Sequence, residues 1–322
     1  MNASTEPPAD VQAWMPELES VLPTRRSCAI TVGSYDGLHR GHQSVLERLL
    51  DAAATRGLES MLLTLEPLPQ EFFRGMENTP RIGSLVDKKR FTEQLFPRLD
   101  HFAALPFNAQ TAAIGAQEFV RDLLVGRLGM RYLTVGEDFR FGRDRAGDFA
   151  LLETESSACG FDLEAAPVFE LDGSRVSSTR IRMVLADGDI PAAERLLGHP
   201  FEIDAEVIEG DRRGRELGFP TANLDFPHNP PIRGVFTVTC QLGDRFCQGV
   251  ANVGTRPTVD GTRLLIEVHL LDFADDLYGQ RMTVRFHQRL RAEQRFDSVG
   301  RLREQIGRDI DAAREFFADG PA

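Results

Sequence analysis

Short apolar runs alternate with stretches of helical periodicity through the first half of the chain. Four of these runs have the length of a strand: residues 29–32, 61–65, 101–107 and 132–135. Between them, apolar residues recur at every third or fourth position, as in an amphipathic helix. Because strands that alternate with helices pair in parallel, the pattern predicts an α/β domain over residues 25–198. Residues 1–24, which include four prolines, are predicted to form an N-terminal arm.

The periodicity changes from helical to alternating after Gly198-His199-Pro200. Polar and apolar residues alternate most clearly through residues 234–242. Four other stretches have strand character: residues 201–208, 246–252, 264–273 and 282–289. Short strands without intervening helices predict a closed antiparallel β-barrel over residues 199–322. A terminal helix is predicted from about residue 298 to residue 317, with Asp297 as its N-cap.

The first candidate site is a glycine-rich turn that joins the first strand to a helix. Its sequence is Gly33-Ser-Tyr-Asp-Gly-Leu-His-Arg-Gly-His42. Glycines let the backbone bend sharply or approach a ligand closely. The free N–H groups and the dipole of a helix N-terminus favour phosphate at such a place. We therefore expect Gly33, Asp36 and Gly41 to bind a nucleotide, with His39 and His42 acting on its phosphate.

A second glycine-bearing loop, residues 136–147, also follows a predicted strand. It contains Asp138. Because ligands of parallel α/β sheets bind at the carboxyl ends of the strands, both loops are expected to line one crevice. Asp138 is therefore a candidate nucleotide-binding residue.

The end of the first half carries hydroxyl and guanidinium groups at the start of a predicted helix. Ser177, Ser178, Arg180 and Arg182 lie within seven residues of one another, between positions 176 and 182. Hydroxyls and guanidinium groups at a helix N-terminus are suited to a triphosphate. The alternative is a plain helix cap with two solvated arginines.

The second half contains a glycine-rich segment, residues 210–223. Gly210, Gly214, Arg215 and Gly218 are predicted to wrap phosphates. Thr221 and Asn223 alternate, so their side chains point the same way. A hydroxyl and an amide oxygen can ligate a Mg²⁺ ion that carries ATP oxygens. The alternative is a glycine-rich turn in which both side chains only satisfy backbone groups.

A single carboxylate follows on a later strand. Glu267 lies on the face opposite to Ile266 and Val268. A lone acid on a strand is usually a solvated outward residue. What singles it out is the sequence around it, residues 266–273 followed by 276–279.

The charge of the chain restricts the class of ligand. The formal net charge is −12, which argues against nucleic acid as a main partner. An anionic ligand must therefore be held by local cations or a metal. No apolar stretch reaches the length of a membrane span, and no secretory leader is expected. The four cysteines are expected to be core thiols of a cytoplasmic protein.

The first-half motifs together resemble the nucleotidyltransferase superfamily, and in particular the adenylyltransferase half of bacterial bifunctional riboflavin kinase/FAD synthetases. The resemblance rests on residues 33–42, 66–67, 136–142 and 176–182. It implies a Rossmann-like domain that adenylylates FMN from ATP, giving FAD and pyrophosphate. His39 and His42 would stabilise charge on the α-phosphoryl group, so positioning and electrostatics would carry the catalysis.

The second half resembles the riboflavin kinase module of the same family. This resemblance rests on residues 210–223, 249–258 and 266–279. It implies that the barrel phosphorylates riboflavin to FMN with ATP and Mg²⁺. Glu267 would take the proton of the ribityl 5′-hydroxyl, from about 2.6–3.2 Å directly or through one water. Thr221 and Asn223 would hold Mg²⁺ and the nucleotide phosphates.

The chain departs from the family pattern at a few positions of its first half. Tyr35 replaces the usual Phe, and Leu68 stands where His is common. Asn108 and Thr111 depart from the usual Pro-Phe-Asp segment. Two alternatives therefore stay open at this point: a riboflavin kinase with a weak or inactive adenylyltransferase half, and a flavin-binding regulator without turnover. The oligomeric state is not indicated.

Overall fold

The computed structural model describes residues 27–210, 214, 218–258 and 261–320. The predicted N-terminal arm and Arg215 lie outside these residues. The described chain divides into two compact units. The first contains the residues up to Gly75 and Lys89–Val176, and the second contains Met76–Lys88 and the chain from Ser177 onward. The predicted boundary at Gly198 therefore falls inside the second unit.

The first unit is built on a five-stranded sheet in the order β3-β2-β1-β4-β5. Its strands are β1 (Cys28–Gly33), β2 (Glu59–Glu66), β3 (His101–Pro106), β4 (Met130–Gly136) and β5 (Asp162–Ala166). Every neighbouring pair is parallel, which confirms the predicted α/β fold. The chain moves outward from β1 to β3 and then returns to the other side of β1, so β1 and β4 meet at the switch point of the sheet.

Helices accompany this sheet. They are α1 (Arg40–Arg56), α2 (Pro69–Arg74), α3 (Leu85–Leu95), α4 (Ala109–Ala113), α5 (Ala116–Glu118) and α6 (Phe149–Cys159). A π-helix, Phe119–Arg127, continues α5, and the N–H of Leu128 donates to the carbonyl of Leu123, five residues back. Alternate residues of β1 feed two buried apolar clusters: Cys28 and Ile30 enter one and Ala29 enters the other. The sheet is therefore covered on both faces. A two-stranded hairpin of β6 (Glu170–Leu171) and β7 (Ser174–Arg175) follows.

The second unit contains a closed six-stranded barrel in the order β10-β11-β12-β9-β8-β13. Its strands are β8 (Glu202–Ile208), β9 (Ala222–Asp225), β10 (Gly234–Leu242), β11 (Arg245–Thr258), β12 (Gly261–Leu270) and β13 (Arg281–Arg291). All neighbouring pairs are antiparallel. The predicted antiparallel barrel is therefore confirmed.

Helices flank the barrel in the described residues of this unit. α7 (Ser178–Ala186) and α8 (Ile190–Leu197) precede the barrel, and α9 (Val299–Ala318) follows it. The predicted cap at Asp297 is wrong by one residue, since the Ser298 side chain accepts the N–H of Arg301. Within the described ranges, none of the helices combines the length and apolar character needed to cross a membrane.

A segment from the middle of the first half, Met76–Lys88, packs on the barrel. The N–H of Arg81 donates to the carbonyl of Asn229 at 2.9 Å, and the Asn229 amide donates to the carbonyl of Glu77 at 3.0 Å. Asp87 accepts the N–H of Asp204, on β8, at 3.2 Å. The segment is therefore fixed to the second unit near both of its ends.

Candidate active sites

The turn between β1 and α1 has an unusual backbone. Tyr35, Gly37 and Leu38 have φ angles of 47°, 81° and 37°. The left-handed region is unfavourable for residues other than glycine and persists only where the surroundings hold it. Both Tyr35 and Leu38 are buried, so packing holds this turn. Strain of this kind clusters at ligand-binding sites.

A chain of hydrogen bonds ties the turn to the sheet. The hydroxyl of Thr31 donates to the carbonyl of Thr134, on β4, at 2.7 Å. The hydroxyl of Thr31 and the phenol of Tyr35 lie 2.6 Å apart, so the phenol is the donor in that bond. Burial raises the pKa of Tyr35 well above its ordinary value. The phenol therefore stays protonated and anchors the turn at the switch point between β1 and β4.

The two histidines form one stacked pair at the start of α1. His39 is the N-cap, and its Nδ1 accepts the N–H of His42 at 3.3 Å. The two rings stack with centroids 3.6 Å apart and an interplanar angle of 15°. Because Nδ1 accepts, neutral His39 carries its proton on Nε2. The predicted proximity of the histidines at a helix N-terminus is confirmed, and the geometry suits the stabilisation of an anionic oxygen.

Gly41 makes room for the ring of His39, and Gly33 makes room for the ring of Tyr35. A Cβ at Gly41 would lie 3.1 Å from Cε1 of His39 and 3.3 Å from the carbonyl oxygen of Val176. A Cβ at Gly33 would lie 3.0 Å from the ring of Tyr35. Asp36, in the same turn, is buried. Their roles in nucleotide binding stay predictions, but both glycines have a packing reason to be glycine.

Asp138 lies in the loop after β4, which pairs with β1. Its carboxylate is 2.7 Å from the guanidinium of Arg175, and both side chains are more than half exposed. Arg175 is the main cause that lowers the pKa of Asp138. Asp138 is therefore an ionised surface carboxylate paired with arginine, and its role in nucleotide binding stays a prediction.

The segment 176–182 contains the helix cap that the sequence indicated. Ser177 is the N-cap of α7 and accepts the N–H of Arg180 at 3.3 Å. Ser178, Arg180 and Arg182 lie in the first turns of this helix. All of them belong to the second unit. Their action on the triphosphate beside the histidines stays a prediction.

The departures at Asn108 and Thr111 have a local structural role. Asn108 caps α4 by accepting the N–H groups of Gln110 and Thr111 at 2.9 and 3.0 Å. The Thr111 hydroxyl accepts the N–H of Asn108 in return, at 2.8 Å. This reciprocal capping stabilises the start of α4. Leu68, the other departure, is buried at the N-cap of α2.

Three aromatic rings that the sequence did not single out gather beyond the carboxyl ends of β2 and β3. Phe72 and Phe73 lie on α2, and Phe107 follows β3. Their ring centroids are 5.1, 5.5 and 6.0 Å apart. Phe72 is 39% exposed and Phe73 is 69% exposed. We call this group the aromatic cluster. Two adjacent phenylalanines just after a strand end were the available signal.

The barrel places the second set of predicted residues side by side. Asn223 on β9 pairs directly with Glu267 on β12. The neighbouring pairs, Leu224 with Ile266 and Ala222 with Val268, are buried. Side chains alternate along a strand, so Asn223 and Glu267 share the opposite, outer face of the barrel wall. Directly paired residues have Cβ atoms about 4.5–5.5 Å apart, so the predicted metal ligand adjoins the predicted base.

Two glycines of the glycine-rich segment pack against these residues. A Cβ at Gly210 would collide with the side-chain amide of Asn223. A Cβ at Gly214 would collide with the carbonyl of Phe219 and lie 3.0 Å from the hydroxyl of Thr221. Gly218 has a φ of 87°. The segment therefore uses glycine where Asn223 and Thr221 approach the backbone. Its contact with phosphates stays a prediction.

The donor set fits a hard divalent cation. The Thr221 hydroxyl and the Asn223 amide oxygen, the predicted metal ligands, are oxygen donors, the kind that Mg²⁺ prefers. In the described part of the chain, no three His, Cys, Asp or Glu side chains converge to hold a metal ion. Mg²⁺ bound here would therefore need phosphate oxygens and water to complete its coordination.

A cavity opens beside Thr221. Its volume is about 270 Å³. Apolar side chains of the barrel form much of its wall, and acidic residues lie among its lining: Val207, Ala222, Val268, Leu270, Asp275 and Asp276. The cavity is open to solvent, and Thr221, a predicted phosphate-side ligand, is part of its lining. It suits a flat apolar ring that carries hydrogen-bond donors.

The fold and these sites define a two-unit transferase acting on nucleotide phosphates. A family model described as FAD synthetase matches residues 22–180, and one described as riboflavin kinase matches residues 197–317. The bifunctional riboflavin kinase/FMN adenylyltransferase of Escherichia coli K12 is 43% identical over 295 residues, covering 91% of this chain and 94% of the relative. That of Pseudomonas fluorescens is 44% identical over 303 residues, covering 94% and 96%. The chain belongs to the bifunctional riboflavin kinase/FMN adenylyltransferase family.

A solved structure supports the fold over nearly the whole chain. It is described as a macrolide-efflux protein from Streptococcus pneumoniae, with a TM-score of 0.75 and 28% identity. The match covers 92% of this chain and 96% of that one. The predicted family and both predicted activities are confirmed by the family models and curated relatives. The protein is a bifunctional transferase that phosphorylates riboflavin and adenylylates FMN.

Proposed function

We propose that riboflavin is phosphorylated on the outer face of the barrel, where Asn223 pairs with Glu267. This pairing supports the proposal, because it sets the predicted phosphate-side ligand beside the predicted base. ATP phosphates lie on Thr221 and Asn223 and under the glycine-rich segment, with Arg215 supplying positive charge. Glu267 takes the proton of the ribityl 5′-hydroxyl. The oxygen of that hydroxyl attacks the γ-phosphorus of ATP, and ADP leaves. Bound Mg²⁺ would neutralise charge on the phosphate oxygens.

The cavity beside Thr221 is proposed as the adenine pocket of this site. Its apolar wall suits the faces of a purine ring. Asp275 and Asp276 among its lining are acceptors for an exocyclic amino group, which adenine carries and the dimethylbenzene edge of a flavin lacks. The phosphate chain then leaves the pocket past Thr221.

The packing of Gly210 gives a test of the kinase site. Gly210→Ala is expected to lower riboflavin kinase activity by roughly 10- to 100-fold, the cost of displacing a positioning group by up to 1 Å. The reason is that the added Cβ collides with the Asn223 amide. Gly307→Ala, in α9, is the matched control because a Cβ there meets nothing within 4 Å. Equal kinase rates in the two variants would contradict this placement of Asn223.

Adenylyl transfer is proposed at the β1–α1 turn. A phosphate oxygen of FMN attacks the α-phosphorus of ATP and pyrophosphate leaves. His39 donates from Nε2 to an α-phosphate oxygen, and His42 stabilises the same developing charge. The other predicted nucleotide-binding residues are Gly33, Asp36, Gly41, Asp138, Ser177, Ser178, Arg180 and Arg182. The stacked histidines at the N-terminus of α1 are the observation that supports this site.

The aromatic cluster is proposed to bind the isoalloxazine ring of FMN. It lies beyond the carboxyl ends of β2 and β3, on the side of the sheet where ligands of α/β folds bind. Phe73 is the most exposed of the three rings, at 69%, and offers a face for stacking.

Removing that face gives the second test. Phe73→Ala is expected to raise the KM for FMN about threefold to tenfold, because aromatic stacking contributes about 0.5–1.5 kcal/mol. FAD formation at varied FMN concentration is the measurement. Phe246→Ala is the control, since Phe246 is an exposed ring on the barrel. An unchanged KM in Phe73→Ala would place the flavin elsewhere.

Several other predictions stay proposals. Residues 25–198 are proposed as the adenylyltransferase domain and residues 199–322 as the kinase domain. ATP, riboflavin and FMN are the proposed ligands. The cytoplasm is the proposed place of action, and the net charge of −12 disfavours nucleic acid as a partner.

A further inference from the structure

His269 lies beside the proposed kinase site without belonging to the predicted set. It follows Glu267 by two residues on β12, so both side chains lie on the same face. Val268 pairs with Ala222 in the antiparallel register. Continued by one residue, that register sets His269 across from Thr221. Each proposed phosphate-side ligand thus faces a residue of β12: Asn223 faces Glu267, and Thr221 faces His269.

The side chain of His269 holds the backbone immediately before Thr221. Its Nδ1 lies 2.8 Å from the carbonyl oxygen of Pro220. A carbonyl only accepts, so Nδ1 carries the proton and donates. The ring of Phe219 packs edge-on against the imidazole, with centroids 5.9 Å apart and an interplanar angle of 89°. One side chain therefore contacts two consecutive residues of the glycine-rich segment.

This contact acts where regular strand pairing has ended. Strand β9 begins at Ala222, and the pairs between β9 and β12 run from Ala222 to Leu224. Thr221 stands outside these pairs, and proline at position 220 has no N–H to donate. The bond from His269 therefore fixes the backbone of this turn, as the hydrogen bonds between β9 and β12 fix the backbone at Asn223.

We propose that His269 is a positioning residue of the riboflavin kinase reaction. Its Nδ1–H bond to the Pro220 carbonyl fixes Thr221 beside Asn223. The ATP phosphates bound there are thereby held in one position relative to Glu267. His269 acts through the backbone and takes no proton from the substrate. The inference rests on the proposed kinase site.

Three substitutions at His269 test the proposal. The amide nitrogen of Asn reaches the position of Nδ1, whereas that of Gln reaches the position of Nε2, and Leu has no donor. His269→Gln and His269→Leu are expected to raise the KM for ATP about tenfold, the value of one hydrogen bond near 1.4 kcal/mol. His269→Asn is expected to stay within about threefold of the parent. The KM for riboflavin and FAD synthesis from supplied FMN are expected to be unchanged.

The outcomes separate this inference from the site on which it rests. A KM for ATP equal to that of the parent in His269→Gln and His269→Leu overturns the positioning role. An equal rise in His269→Asn and His269→Gln also overturns it, because the donor position would then not matter. Glu267→Gln is assayed in parallel. If that variant keeps full kinase activity, the kinase site itself is misplaced; if it is inactive while all His269 variants behave as the parent, only the inference fails.

Discussion

Glu267→Gln is expected to lower riboflavin phosphorylation by about 10²- to 10⁴-fold, the usual contribution of a general base. Gln keeps the size of the side chain and can still accept hydrogen bonds, but it cannot take the ribityl proton. Glu267 is on the outer face of β12, paired with Asn223, so the substitution leaves the barrel interior intact. FMN formation from riboflavin and ATP, followed by chromatography, is the measurement.

The same variant carries its own control. FAD synthesis from supplied FMN is proposed at the β1–α1 turn, away from Glu267, and is expected to proceed at the parent rate. A Glu267→Gln protein that still phosphorylates riboflavin at the parent rate would show that another group is the base. Loss of both activities would indicate misfolding instead of lost base catalysis.

His39→Ala is expected to lower FAD synthesis by about 10²- to 10³-fold, the loss measured when one donor to a developing oxyanion is removed. His39 has a second role, because its Nδ1 caps α1, and a lost cap costs about 1 kcal/mol of stability. His39→Asn separates the two roles. Asn is a preferred N-cap, but it lacks a donor at the position of Nε2.

Both His39 variants are therefore expected to lose FAD synthesis, whereas only His39→Ala is expected to have a lower melting temperature. Riboflavin phosphorylation is expected to persist in both. His101→Ala is the matched control, since His101 begins β3 at the opposite, amino end of the strand and pairs with Glu59. Parent-like FAD synthesis in His39→Asn would show that His39 caps the helix and does nothing more.

Strands and helices were predictable wherever a stretch of sequence kept one regular spacing of apolar residues. Strand β1 and helix α1 have uniform patterns, and so has strand β10. Strand β5 was not predicted because two acids interrupt its five residues, Asp162–Ala166, so no apolar run marks it. The cap of α9 was misplaced because Asp297 and Ser298 are adjacent, and both types favour that position. Backbone geometry alone decides between them.

The sites divide in the same way. Alternation along a strand is a local property, so the outward face of Glu267 and the shared direction of Thr221 and Asn223 were predictable. Their cross-strand pairing was not, because register follows from closure of the barrel. The aromatic cluster and the bond from His269 to Pro220 join segments that are distant in sequence. The spacing of apolar residues along the chain does not predict such contacts.

The bifunctional assignment is tested most directly by the product mixture of the unmodified chain. The protein is incubated with riboflavin, ATP and Mg²⁺, and the flavins are resolved by chromatography over time. The predicted result is FMN that appears first and FAD that accumulates from it, with both reactions lost when the metal is chelated. FMN without FAD would contradict the adenylyltransferase half, and unchanged riboflavin would contradict the whole account.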